Sequence, residues 1–291
     1  MSKIVRQVTE YMPAAAAPIE AIVAQALAED LGPGDISSEL TIPTALQAKG
    51  SFLAKQTGVL SGLDVCQECF AQLDPNCHFT ALAREGDRFT SGATIATVQA
   101  SARALLAAER TALNFLQRLC GTATLTRAFV DAVHGTGARI VDTRKTTPGL
   151  RLLQKRAVRA GGGYNHRFAL YDGILLKDNH IALGGGIART IAAARDGRPH
   201  MLKVEIEVSD LQQLQEALAA GADIIMLDNM TPEQLAEAVN MIAGRVPAEA
   251  SGNVRLDTVA RIAETGVDYI SVGALTHSAP AIDISFDIQP A

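Results

Sequence analysis

Positive charge is concentrated between residues 139 and 177 of a chain whose formal net charge is −5. We call this stretch the basic segment. It contains only two acidic residues, Asp142 and Asp172. Its nine basic residues are Arg139, Arg144, Lys145, Arg151, Lys155, Arg156, Arg159, Arg167 and Lys177. A surface of one charge sign attracts ligands of the other sign. The sequence therefore predicts a binding site for a polyanion.

Composition narrows the choice of anion. The chain has 291 residues, 48% of them hydrophobic, which is typical of a globular protein with a sizeable core. Aromatic residues make up 4% and tryptophan is absent, so few side chains can stack on bases, and the sequence pI is about 5.7. These values disfavour a nucleic-acid partner and favour a small anion.

Polar residues follow the apolar runs of the second half of the chain. Six such runs alternate with helical patterns, at 140–141, 174–176, 202–206, 224–227, 248–250 and 269–272. This alternation predicts a parallel sheet that approaches an α/β barrel, with an open doubly wound sheet as the alternative. In barrels the functional side chains lie at the carboxyl ends of the strands.

The residues at these predicted strand ends are the first candidates for chemistry. They are Arg144 and Lys145, Lys177, Glu205 and Glu207, Asp228, Ser251, Gly252 and Asn253, and Ser271 and Gly273. Two carboxylates two residues apart on a strand share a face, so Glu205 and Glu207 need cations, hydroxyls or a metal nearby. The glycine-containing turns after the last two strands are suited to phosphate.

The basic segment divides into two predicted parts. We expect Arg144, Lys145, Arg167 and Lys177 to be functional, with His166 as an anion contact beside Arg167. The remaining cations of the helix predicted at 150–160 are expected to form an exposed polar face.

The first part of the chain has a different pattern, which predicts mixed α and β structure. Helices are predicted at 18–31, 64–73, 102–119 and 124–134, with Gly121 ending the third, and strands within 48–60 and 78–98. Cys66 and Cys69 have zinc-like spacing but no matching second pair, so we predict them to be apolar helix positions. The composition changes near 120–135, which suggests a domain boundary there.

Targeting signals are not evident. Glu10 and Glu20 interrupt any apolar run near the start, and no run reaches the length needed to span a bilayer. A cytoplasmic protein without a membrane partner is expected.

Eight motifs run in order along nearly the whole chain. They are Glu29-Asp30-Leu31-Gly32 with Gly34-Asp35-Ile36, Glu109-Arg110-Thr111-Ala112-Leu113-Asn114, Asp142-Thr143-Arg144-Lys145-Thr146-Thr147-Pro148-Gly149-Leu150-Arg151, Gly162-Gly163-Tyr164-Asn165-His166-Arg167, Leu176-Lys177-Asp178-Asn179-His180, Glu205-Ile206-Glu207-Val208, Met226-Leu227-Asp228-Asn229 and Ser271-Val272-Gly273-Ala274-Leu275-Thr276. The third is long and highly specific. Together they resemble the motifs of the quinolinate phosphoribosyltransferase family, whose members are also called nicotinate-nucleotide pyrophosphorylases (carboxylating), among the type II phosphoribosyltransferases.

The resemblance implies a fold and a reaction. The fold is an α/β protein with an N-terminal α/β sandwich over 1–120, joined by the tail 278–291, and an incomplete, open α/β barrel over 121–277. The reaction joins quinolinate to phosphoribosyl pyrophosphate with Mg²⁺ and releases pyrophosphate and carbon dioxide. Its product is nicotinate mononucleotide, for de novo NAD biosynthesis. A homodimer is implied, in which Arg110 reaches the partner's site.

The resemblance also implies a role for each candidate residue. Arg144, His166, Arg167, Lys177 and Arg110 of the partner subunit would hold the pyridine dicarboxylate, while Lys145 and His277 would face the pyrophosphate. Glu207 and Asp228 would bind the ribose hydroxyls, directly or through Mg²⁺. The 5′-phosphate would be held by Ser251, Gly252, Asn253 and Gly273, and Ser271 is a further substrate-binding residue. Lys177, Glu207 and Asp228 are the expected catalytic residues.

Three alternatives stay open from the residues. A related phosphoribosyltransferase could use nicotinate or another anionic base, although the paired Arg144 and Arg167 favour a dicarboxylate. An aldolase or decarboxylase could form a Schiff base at Lys177. A non-catalytic module could bind the anion without turnover.

Overall fold

In the computed structural model, which describes residues 18–291, the chain forms two compact units. The first consists of the described chain up to Arg127, Thr146–Gly162 and Leu275–Ala291, and the second consists of Ala128–Lys145 and Gly163–Ala274. The elements in chain order are α1 (Ile19–Leu31), α2 (Ile36–Thr41), β1 (Gln47–Ala54), β2 (Gly58–Val59), α3 (Leu63–Leu73), β3 (His78–Ala81), β4 (Arg88–Phe89), β5 (Thr94–Ser101), α4 (Ala102–Ala132), β6 (Arg139–Val141), α5 (Arg151–Ala160), β7 (Ile174–Leu176), α6 (Asp178–Gly184), α7 (Ile187–Gly197), β8 (Val204–Val208), α8 (Leu211–Ala219), β9 (Ile224–Asp228), α9 (Pro232–Ile242), β10 (Ala248–Ser251), α10 (Val259–Ala263), β11 (Tyr269–Ser271), α11 (Ala274–His277) and β12 (Ile284–Pro290).

An antiparallel sheet of order β12-β1-β5-β3 organises the first unit. Strand β1 alternates exposed and buried residues, as a strand with one face on a core must. Phe52 of β1 pairs with Phe286 of β12, with ring centroids 4.6 Å apart, and Phe70 of α3 packs on both. These rings form the centre of the first core.

The cysteines of α3 lie in that core. Cys66 and Cys69 are fully buried, which confirms their prediction as apolar helix positions. Burial raises the pKa of Cys69 to about 12, because a thiolate is poorly solvated there. Both thiols are free.

The long helix α4 differs from the prediction of two helices. Gly121 does not end it, and the helix continues to Ala132. A Cβ atom at Gly121 would overlap the carbonyl oxygen of Pro280, so the returning chain packs directly on the helix backbone at this position. The glycine serves close packing and not termination.

Helix α5 is more buried than predicted. Lys155 is 4% exposed and Gln154 is 8% exposed, so the predicted exposed polar face is wrong at Lys155. Leu153 and Ala157 belong to the first core, which explains why 146–162 groups with the first unit although the predicted boundary puts it in the barrel. Arg156 pairs with Asp64 of α3.

Six parallel strands form the sheet of the second unit, in the order β6-β11-β10-β9-β8-β7. From β7 to β11 each strand pairs with the next along the chain, and β6 joins beyond β11. A doubly wound sheet would reverse its order in the middle, so that alternative is wrong. The open α/β barrel, and with it the predicted fold class, is confirmed.

Among residues 18–291, no helix combines the length and apolarity needed to cross a bilayer. Glu10, which entered the prediction about targeting signals, lies outside the described residues.

Candidate active site

The carboxyl ends of the parallel strands bring the predicted side chains to one rim of the second unit. Asp228, Ser251 and Ser271 are the last residues of β9, β10 and β11. Lys177 directly follows β7, and Glu207 is the fourth residue of β8. Arg144 and Lys145 lie in the loop after β6, where Arg144 is half-buried and Lys145 exposed.

Lys177 and Glu207 form an ion pair across neighbouring strands. The Nζ atom of Lys177 lies 3.4 Å from Oε2 of Glu207, and their side chains are 47% and 18% exposed. Burial raises the pKa of Glu207, Lys177 lowers it, and the charge of Asp228 raises it again. The rim therefore holds two neighbouring carboxylates and one lysine.

Arg144 and Arg167 form a second charged pair, of like sign. Burial lowers the pKa of Arg167, and the neighbouring Arg144 lowers it further. Arg167 donates from Nη1 to the carbonyl of Gly173 at 2.8 Å. The Nε atom of Arg144 is buried and has no hydrogen-bond partner within residues 18–291. Two guanidinium groups that repel each other in this way are suited to an anion with more than one carboxylate.

Asp142 holds the loop that carries His166 and Arg167. It is fully buried, and its carboxylate accepts bonds from Asn165 Nδ2 at 2.6 Å and from the backbone N–H of His166 at 2.9 Å. The backbone N–H of Asp142 donates in return to the carbonyl of Tyr164. This carboxylate, which the sequence placed only at the head of a motif, orders the loop.

The imidazole of His166 is engaged by the protein at both nitrogens. Nδ1 accepts a bond from the backbone N–H of Arg167 at 2.8 Å, so the proton of the neutral ring lies on Nε2. Nε2 lies 3.2 Å from Oε2 of Glu205 and 3.8 Å from Oε1 of Glu249. In this arrangement His166 fixes the backbone of Arg167 and does not present a free ring nitrogen to a ligand.

Glu205, Glu249 and His166 have the spacing of a metal site, since their ligand atoms lie within 4.8 Å of one another. The tautomer argues against that role, because a ring that accepts at Nδ1 and binds a metal at Nε2 would have to lose both protons. The buried Oε1 atoms of both glutamates lack hydrogen-bond partners within the described chain. Burial and the charge of Glu205 raise the pKa of Glu249 to about 7, against smaller lowering by His166.

Glu249 is not among the site residues predicted from the sequence. Its neighbours Ala248 and Ala250 are small apolar residues, a pattern that indicates a buried strand and no functional side chain. The available signal was its spacing of two from Ser251, which repeats the spacing of Glu205 and Glu207 and predicts the same face.

Glu249→Gln is expected to change how stability depends on pH. The ordinary pKa of 4.5 is raised to about 7 in the fold, so the carboxyl contributes stability that is fully present below pH 4.5 and lost as pH rises through about 7. Glutamine cannot ionise. The difference in free energy of unfolding between the variant and wild type should therefore shift in favour of the variant by on the order of 2 kcal/mol between pH 5 and pH 8. Urea unfolding at both pH values measures this.

The control for that experiment is Glu237→Gln on the exposed side of α9, which should follow the wild-type profile. Parallel pH profiles for wild type and Glu249→Gln would mean that Glu249 is not protonated in the fold.

The loops after β9 and β10 are bonded to each other. Asn229 donates from its backbone N–H to the carbonyl of Ser251 at 2.8 Å, and Asn253 donates from Nδ2 to Oδ1 of Asn229 at 3.0 Å. At the next strand, the buried hydroxyl of Ser271 donates to the carbonyl of Ala250 at 3.4 Å, and Gly273 follows two residues later. The predicted phosphate-binding residues thus lie on adjoining strand ends.

Two predicted site residues belong to the first unit. Arg110 is exposed on α4 and lies 3.8 Å from Glu109 of its own helix. His277 is the last residue of α11, and its Nδ1 lies 2.6 Å from the hydroxyl of Ser278.

Comparison with protein families assigns both halves of the chain. The profile described as "Quinolinate phosphoribosyl transferase, C-terminal domain" matches residues 122–287, and the corresponding N-terminal domain profile matches residues 35–120. The chain belongs to the quinolinate phosphoribosyltransferase family. The family resemblance predicted from the motifs is confirmed, and so is the enzyme class.

Relatives and solved structures agree with this membership. The chain is 45% identical over 260 residues to the probable nicotinate-nucleotide pyrophosphorylase [carboxylating] of Bacillus subtilis, covering 89% of this chain and 90% of that one. A quinolinate phosphoribosyltransferase [decarboxylating] of Nicotiana tabacum is 40% identical over 290 residues, covering 93% and 82%.

Among structures of the family, NadC from Streptococcus pyogenes is 46% identical, with a TM-score of 0.90 over 94% of this chain and 97% of that one. The nicotinate-nucleotide pyrophosphorylase of Francisella tularensis is 40% identical, with a TM-score of 0.88 over 94% and 98%.

Proposed function

We propose that the chain transfers the phosphoribosyl group of phosphoribosyl pyrophosphate to quinolinate and decarboxylates the adduct, giving nicotinate mononucleotide, pyrophosphate and carbon dioxide for NAD biosynthesis. The observation that carries the proposal is the charge arrangement of the strand ends. Arg144 is near enough to Arg167 to lower its pKa, and Lys177 is paired with Glu207, one of two neighbouring carboxylates. Relatives with the names quoted above support it.

The cations bind the pyridine dicarboxylate. Arg144 and Arg167 offer paired donors to carboxylates, and an anion between them relieves their mutual repulsion. His166 positions Arg167 through its backbone N–H. Lys177 contributes a further positive charge at the end of β7, next to the carboxylates that face the sugar.

The carboxylates and the later loops bind phosphoribosyl pyrophosphate. Glu207 and Asp228 accept bonds from the ribose hydroxyls, and the 5′-phosphate is held by Ser251, Gly252, Asn253, Ser271 and Gly273. Lys145, exposed after β6, and His277 are assigned to the pyrophosphate.

A magnesium ion fits the same two carboxylates. Glu207 and Asp228 are close enough for one to raise the pKa of the other, and Mg²⁺ prefers carboxylate and phosphate oxygens. When bound, the ion would neutralise negative charge on the leaving pyrophosphate.

The chemistry follows from charge that develops during transfer. The anomeric carbon becomes positive as its bond to pyrophosphate breaks, and Glu207 and Asp228 stabilise that charge while Lys145 stabilises the leaving group. The pyridine nitrogen then bonds to this carbon. The resulting positive nitrogen accepts the electron pair released when the adjacent carboxylate leaves as carbon dioxide, and a proton replaces it on the ring carbon.

Arg110 is proposed to act in the partner's site of a homodimer. Its exposed position on α4 leaves its guanidinium available to another subunit. If sites are shared, mixing inactive Arg110→Ala with inactive Lys177→Ala protein should produce activity that neither has alone, because a hybrid dimer contains one intact site. A mixture as inactive as its components, after confirmed subunit exchange, would contradict sharing.

The test of the reaction is a direct product assay. The purified protein is incubated with phosphoribosyl pyrophosphate, Mg²⁺ and either quinolinate or nicotinate, and mononucleotide and carbon dioxide are measured. Equal amounts of both products from quinolinate are expected. Mononucleotide from nicotinate alone would overturn the substrate assignment, and tight binding without product would indicate an anion-binding module.

A further inference from the structure

Three hydrogen-bonding groups of Asn229 connect two parts of the rim. Its backbone N–H donates to the carbonyl of Ser251 at 2.8 Å, and its side-chain Nδ2 donates to Oδ2 of Asp228 at 2.7 Å. Its Oδ1 accepts from Nδ2 of Asn253 at 3.0 Å. One side chain therefore binds both the end of β9 and the loop 251–253 after β10.

The backbone on both sides is shaped for this connection. Asn229 and Asn253 have positive φ values of 55° and 49°, in the left-handed region that asparagine tolerates better than most residues. Gly252 between Ser251 and Asn253 has φ 94°, and a Cβ atom there would collide with Oδ1 of Asn229. Glycine at 252 is needed for the loop to approach Asn229.

We infer that Asn229 is a positioning residue that joins the carboxylate of Asp228 to the loop 251–253 and so sets the spacing in which a ribose 5-phosphate group is held. The inference rests on the proposed function, which assigns Asp228 to the ribose hydroxyls and this loop to the 5′-phosphate. Both ends of one ligand group would then depend on a side chain that need not touch it.

The bonds also specify what Asn229 does to the carboxylate. The Nδ2 donor occupies Oδ2 of Asp228 and restricts rotation of the carboxylate, which leaves Oδ1 in a fixed direction. A carboxylate held in this way loses less conformational entropy when a hydroxyl binds.

The test compares Asn229→Gly with wild type. Glycine keeps the left-handed backbone and its N–H, and it removes both side-chain bonds. The KM for phosphoribosyl pyrophosphate should rise about tenfold or more, and the Kd of ribose 5-phosphate, measured by calorimetry, should rise in parallel. The KM for quinolinate should change less than about twofold, within the size of one weak contact.

Two further variants separate positioning from general loosening. Asn253→Gly removes the side-chain bond to Oδ1 of Asn229 and keeps the backbone N–H that residue 253 can offer to the 5′-phosphate. The double variant should be less impaired than the product of the two single effects, because both break the same link. Ala243→Gly is the matched control. It replaces another left-handed non-glycine residue, at the end of α9, and should leave both KM values unchanged.

The outcomes are distinct. A wild-type KM for phosphoribosyl pyrophosphate and a wild-type Kd for ribose 5-phosphate in Asn229→Gly would overturn the inference, as would equal increases in both KM values. If Asn229→Gly does not fold, Asn253→Gly and its ribose 5-phosphate Kd decide. If wild type binds ribose 5-phosphate but makes no product from quinolinate, the proposed function fails, and the Kd comparison still decides the role of Asn229.

Discussion

Lys177→Ala is expected to lower kcat/KM for quinolinate by about a thousandfold. Effects of this size are found when a preorganised donor is removed from an active site. The variant loses the positive charge at the end of β7 and leaves Glu207 without its ion-pair partner. The fold should persist, because the lysine side chain is 47% exposed and partly exposed ion pairs contribute little to stability. Steady-state kinetics and thermal unfolding measure the two effects.

Lys203→Ala is the matched control for this variant. Lys203 is exposed and directly precedes β8, at the opposite end of the strand that carries Glu207 near its carboxyl end. Its removal changes the net charge equally and should leave turnover unchanged. Near-normal turnover in Lys177→Ala would remove the lysine from the catalytic residues, whereas trapping of a carbonyl substrate by borohydride in wild type would favour a Schiff-base enzyme.

Arg144→Met should raise the KM for quinolinate by about a hundredfold, which corresponds to the loss of a charge-assisted bidentate contact. The same change should leave the melting temperature equal or higher, since it removes the like charge beside Arg167 and a guanidinium whose buried Nε has no partner within the described chain. Loss of binding without loss of stability is the expected signature of a ligand site.

The matched control for Arg144→Met is Arg189→Met, on the exposed face of α7. It should change neither the KM for quinolinate nor the melting temperature. An unchanged KM for quinolinate would contradict the dicarboxylate assignment. A melting temperature several degrees below wild type would show that Arg144 supports the fold, and its effect on binding would then be secondary.

The open barrel could be predicted because its pattern is local. Each parallel strand is a short apolar run and each helix has its own periodicity, so β7 was predicted at its observed bounds. The rule that function lies at the carboxyl ends of strands then located Lys177, Asp228 and Ser251 without knowledge of the contacts.

The predictions that were wrong or incomplete have a common physical cause, which is contact between residues distant in the sequence. Gly121 looked like a helix stop because glycine is a poor helix former, yet the space it leaves is filled by Pro280. Lys155 looked exposed because lysine usually is, but α5 is enclosed on the side that carries it. Glu249 meets Glu205 and His166 only when three separate segments come together.

The pairing of β12 with β1 has a consequence for how the chain folds during synthesis. Ala54 pairs with Ile284, so all of the second unit is made between the two strands. Until β12 emerges, β1 has an open edge on one side, and Phe52 lacks the ring of Phe286 that covers it. Closing so long a loop is entropically slow. The second unit is therefore synthesised in full while the sheet of the first unit still lacks an edge strand, and during that time the unpaired edge of β1 is open to pairing with another chain.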